Sequence, residues 1–73
     1  MTTSNHLAAA GRALYGQLWQ SALARDLGVN DRTMRRWVAG QEPPETIWAE
    51  VRSLLEARKQ QICETIHLID DCH

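Results

Sequence analysis

The stretch LARDLGVNDRTMRRW, residues 23 to 37, gathers Arg32, Arg35 and Arg36 within five positions. A guanidinium is permanently charged and presents its donors in a planar fork, which suits the oxygens of a phosphate or the paired O6 and N7 acceptors of guanine. Turning about 100° per residue places Met34, Trp37 and Val38 on one face of a helix. Arg32, Arg35 and Arg36 fall roughly opposite, with small Ala39 between them. Such a helix is held by one side and displayed by the other. Asn30, just before it, has a side chain suited to capping its first turn. Asp31 can either accept a hydrogen bond from cytosine N4 or complement the positive end of the helix dipole.

Other reactive side chains point to less. Cys63, His67, Cys72 and His73 put four zinc-type ligands within eleven residues, but their spacing is not that of a zinc module, and no metal is expected. Cys63 reads instead as a small apolar residue near a helix seam. His6 has no evident partner. Trp19, Trp37 and Trp48 could stack on bases, yet they stand at helical core positions with Tyr15 as the only other aromatic, and packing is the expected role. The chain has no nucleophile elbow, no glycine-rich phosphate loop and no carboxylate pair with a reason to diverge in pKa, and it is too short to wall off a cleft. An enzyme is not expected, nor is a cofactor.

The elements that must position these residues are four helices, so the expected fold class is all-α. Ser4 or Thr3 can cap a first helix in which Leu7, Gly11, Leu14 or Tyr15, and Leu18 recur at helical spacing. Gly11 costs about 1 kcal/mol there relative to alanine, which is tolerable where another helix approaches closely. Gly16 should end or loosen this helix. A second helix spans Gln20 to Leu27, with Leu23, Ala24 and Leu27 on one face, and Gly28 suits the left-handed turn that closes it. The third spans Asp31 to Ala39 and ends at Gly40. A link of about three residues between the second and third forces a tight, steeply crossed pair.

After GQEPP, Pro44 can occupy the first position of a long helix over 44–70. Ile47, Val51, Leu54, Leu55, Ile62, Ile66 and Ile69 recur through it at spacings of three, four and seven. Val51, Leu55, Arg58, Ile62, Thr65 and Ile69 follow a heptad a/d pattern in which Arg58 and Thr65 are the departures. Twenty-five helical residues extend about 38 Å, more than two short neighbours can cover. The distal half therefore requires another partner, and a second copy joined through Val51, Leu55, Ile62, Ile66 and Ile69 is expected.

The segment QSALARDLGVNDRTMRRWVAG, residues 20 to 40, resembles the helix-turn-helix of the Cro and phage-repressor-like class of DNA-binding proteins. The matching features are Gln20 opening the second helix, Ala24 at the crossing, Gly28 in the turn, and Val29, Met34 and Trp37 as apolar anchors. The likeness covers about a third of the chain. It implies that Gln20 sits near a phosphate, that Asp31, Arg32 and Arg36 face base edges, and that Thr33 and Arg35 serve the backbone. Two features depart from the class. Many relatives have an uncharged residue such as glutamine where this chain has Asp31, and the larger repressors pack several short helices where this chain has one long one.

Charge agrees with a divided molecule. Residues 1 to 40 have five arginines against Asp26 and Asp31, a balance of +3, whereas residues 41 to 73 have three cations against seven carboxylates, a balance of −4. The formal net charge of −1 is an average over these halves. A chain of 73 residues forms one small domain with a marginal core. Its two cysteines are too close to one end to clip much, so self-association is the expected source of further stability. No basic leader with an apolar run and no membrane span is read, which points to the cytoplasm and reduced thiols. The expectation that the resemblance implies is a homodimeric regulator, a repressor or autoregulator, reading an inverted repeat in double-stranded DNA. The alternative is an interaction module, such as an antitoxin or phage accessory protein, whose C-terminal helix holds a partner protein.

Overall fold

The computed structural model describes residues 3–72, with side chains placed from residue 6 to residue 71. Four helices follow one another, α1 (Thr3–Tyr15), α2 (Trp19–Leu27), α3 (Asp31–Val38) and α4 (Glu45–Cys72), and no strand occurs among the described residues. The expected cap of α1 at Thr3 or Ser4 involves side chains outside the described set. α4 begins one residue after Pro44, whose carbonyl accepts from the Ile47 N–H at 3.0 Å. It runs two residues past the expected end.

The body is closed by one apolar cluster drawn from all four helices. Leu7, Ala10 and Leu14 of α1 meet Trp19, Leu23 and Ala24 of α2, Met34 and Trp37 of α3, and Ile47 and Val51 of α4. No buried polar or charged side chain occurs among the described residues. Each helix gives one stripe, which is why spacings of three and four reveal the contributors. Tyr15, Leu27, Val29, Val38, Trp48, Leu54 and Leu55 pack partly buried around the rim.

Leu18 does not join this cluster. It is 91 % exposed, because α1 ends at Tyr15 and Gly16 turns the chain at φ +83. The turn delivers the neighbouring Trp19 to the core in its place, and its indole lies against the backbone of buried Gly11. A Cβ on Gly11 would fall 2.9 Å from Trp19 Cγ and closer still to Cδ2 and Cε3. Gly11 is thus the gap into which α2 is seated.

Two polar contacts tie α1 to its neighbours. The Tyr15 hydroxyl donates to Asp26 Oδ2 on α2. Arg58 Nη1 on α4 donates to the Leu14 carbonyl at 2.9 Å, placing a cation at the negative end of α1. Arg58 also marks the edge of the body. From Lys59 to Asp71 every side chain of α4 is exposed, so the distal half of a helix about 42 Å long stands clear of the rest. The principal extents of 47 × 25 × 22 Å reflect that projection.

Candidate nucleic-acid interface

The displayed arginines depend on how α2 and α3 are joined. α2 closes at Gly28, where φ is +75, a conformation that costs glycine nothing and other residues about 1 kcal/mol or more. The Gly28 N–H donates to Arg25 O at 3.2 Å and the Val29 N–H to Ala24 O at 2.9 Å, which satisfies two carbonyls of the last turn. One residue later Asn30 is extended, and its Oδ1 accepts from the Thr33 N–H at 2.7 Å to open α3. Gly28, Val29 and Asn30 are therefore the entire connection. At the far end of α3 the Gly40 and Gln41 N–H groups donate to Trp37 O and Arg36 O at 3.1 and 3.0 Å.

α3 is pinned by Met34, 1 % exposed, and Trp37, 5 % exposed, with Thr33 and Val38 half-buried beside them. Asp31, Arg32, Arg35, Arg36 and Ala39 occupy its exposed face. Among the described residues no hydrogen bond or ion pair engages the three guanidinium groups, so their donors are open to a ligand. The carboxylate of Asp31 lies in the first turn of α3, where it complements the helix dipole.

Gln20 is exposed in the first turn of α2, and with Gln17, Leu18 and Ser21 it lines a shallow depression. The sequence reading missed Gln17 and Ser21 as polar neighbours of Gln20, because their grouping depends on the turn at Gly16. Leu18, at the N-cap of α2, makes no side-chain cap, leaving the first-turn N–H groups without that partner. Asn30 is exposed, but its carbonyl oxygen is committed to Thr33, so only its amide donors remain for a ligand. The arrangement offers five or more donors on α3 and amide donors at the start of α2, a surface suited to acidic oxygens.

The five residues expected in a helix seam divide. Val51 is 3 % exposed inside the body and is not free for a second chain, because α4 supplies its first turns to close the core. Leu55 is half-buried against the same cluster. Ile62, Ile66 and Ile69 are 51 %, 51 % and 54 % exposed. Cys63 is exposed on the shoulder of that stripe, beside a shallow cleft that also includes Ala13, Leu55 and Ile62. Cys63 and His67 stand one turn apart. The Cys72 side chain and His73 lie outside the described residues, and among those described no group of three or more potential metal ligands occurs. Among the described residues no helix is long and apolar enough to cross a membrane.

In comparisons with known proteins, the chain matches no family model, no characterised protein and no solved structure.

Proposed function

We propose that the chain is a sequence-specific DNA-binding transcriptional regulator, in which α2, the turn at Gly28 and α3 act as a helix-turn-helix of the Cro and phage-repressor-like kind. The observation that carries this reading is the free guanidinium face of α3 above buried Met34 and Trp37. A rigidly anchored helix with exposed arginines fits the major groove, where arginine discriminates guanine through two parallel hydrogen bonds. Arg32 and Arg36 would meet base edges, with Asp31 available to cytosine N4. Arg35, Thr33, the Asn30 amide and Gln20 would meet phosphates, helped by the open first-turn amides of α2. Two copies would set their α3 helices on successive major grooves, about 34 Å apart, and occupancy of such an operator would exclude polymerase.

The acidic half does not oppose this, because its carboxylates belong mainly to α4 rather than to the arginine face. Selection of bound duplexes from a random pool, at fixed salt, tests the reading. A palindromic consensus supports it; recovery of unselected sequence refutes it.

A second reading rests on the exposed Ile62, Ile66 and Ile69. In it, this stripe holds a different protein, as in an antitoxin or phage accessory protein. Truncation after Gln60 separates the two. Loss of dimers together with operator affinity favours the regulator, and a folded dimer that survives truncation favours the interaction module.

A further inference from the structure

The exposed stripe of α4 is a direct continuation of the stripe that enters the core. Ile62, Ile66 and Ile69 project on the same side of the helix as Ile47 and Val51, so one apolar line passes from the body into solvent. The two polar residues that interrupt it each donate a hydrogen bond within the chain. Arg58 is drawn aside to the Leu14 carbonyl at 2.9 Å. The Thr65 hydroxyl donates to the Gln61 carbonyl of its own helix at 2.9 Å. The Thr65 hydroxyl would thus enter a seam already bonded, and Arg58 is held towards α1, which lessens the usual obstacle to burying such residues.

Charge along the helix is ordered as well. Arg52, Arg58 and Lys59 stand with Glu50 and Glu56 in its middle, a balance of +1, while Glu64, Asp70 and Asp71 make its distal part wholly acidic. Lys59 and Asp70 are eleven residues apart, which is three turns plus about 20°, so both flank the stripe on the same side. Parallel pairing of two such helices would send the flanks that bear Lys59 and Asp70 to opposite sides of the seam, where neither meets its opposite charge. Antiparallel pairing brings like flanks together in opposite directions and sets each Lys59 near Asp70 of the second copy.

From this we infer that α4 binds a second copy of this chain in antiparallel orientation, with its two-fold axis near Glu64. Ile62 then faces Ile66 of the second copy. Ile66 and Ile69 of that copy arrive beside the cleft formed by Ala13, Leu55 and Lys59. The two bodies lie at opposite ends of the helix pair. The orientation deepens the dimer reading above and rests on it, while the measurement uses no DNA.

Sedimentation equilibrium of the full chain at low salt tests the assignment. Dimers are expected, and Ile66→Asp should weaken them at least tenfold while Trp fluorescence shows the body still folded. Lys59→Glu and Asp70→Lys should each weaken association severalfold, and the double variant should regain most of that loss. Monomeric wild type overturns both the orientation and the dimer. Dimers indifferent to Ile66→Asp overturn α4 as the seam, charge reversals without rescue overturn its antiparallel orientation, and either leaves DNA selection to judge the function separately.

Discussion

The indole of Trp19 rests on the backbone of Gly11, with no room between them for a methyl group. This contact fixes α2 against α1, and α2 in turn carries α3 through a three-residue turn. Gly11→Ala should therefore reverse its usual sign. On a free helix the change gains about 1 kcal/mol; here it should cost about 1–3 kcal/mol through overpacking. Denaturant midpoints measure the difference, and an unchanged or raised midpoint would show that the ring moves aside freely.

Arg36 and Arg35 are both exposed on α3 but are assigned different partners. Arg36→Ala should cost about 1–3 kcal/mol on the selected operator and relax preference at one base position. Arg35→Ala should weaken all duplexes alike and lower the salt dependence of binding by about one ion. Titrations on matched and mismatched duplexes at several salt concentrations distinguish the two, and exchanged behaviour would exchange the roles.

Met34 is 1 % exposed, within two residues of all three arginines in sequence yet on the other side of the helix. Met34→Asp puts an unpaired charge into the core and should abolish cooperative unfolding. Arg32→Asp should leave the body folded and remove DNA binding. A soluble, folded Met34→Asp variant by circular dichroism would mean that the held and displayed faces of α3 are reversed.

Tyr15 gives the fold an alkaline limit. Partial burial, and then its hydrogen bond to Asp26, push the phenol from 10 to about 12, against the opposing charges of Arg58 and Arg25. Because the folded state holds this proton more tightly than the unfolded chain, the stabilisation is complete below pH 10 and is lost as pH rises towards 12. Stability measured by denaturant between pH 9 and 12 should fall with a slope that Tyr15→Phe reduces. Equal slopes in the two proteins would remove Tyr15 as the source.

The four helices were legible in the sequence because each buries one stripe and is punctuated by glycine, proline or a capping residue. Asn30 and Gly28 illustrate this, since local hydrogen bonding alone dictates where they stand. The split between Met34 and Arg36 was legible for the same reason. Leu18 was not: its spacing from Leu14 continues the helical rhythm, and only the turn at Gly16 takes it out of register. Val51 shows a different limit, because a period of three and four locates an apolar stripe without saying whether the stripe meets its own body or another chain. The bonds from Tyr15 to Asp26 and from Arg58 to Leu14 join residues distant along the chain, and no local pattern announces them.

The distal half of α4 has a consequence for how the molecule comes into being. Thirteen residues from Lys59 to Asp71, all with exposed side chains, form a segment at the lower limit of helix length that persists in water. Under the proposed pairing its order would be acquired together with its covering, so that folding of this half and assembly would form a single equilibrium governed by concentration. In the proposed dimer a dilute chain would keep its globular end and lose the rod, a concentrated one would complete both, and occupancy of a two-copy target would climb more steeply than the amount of protein present.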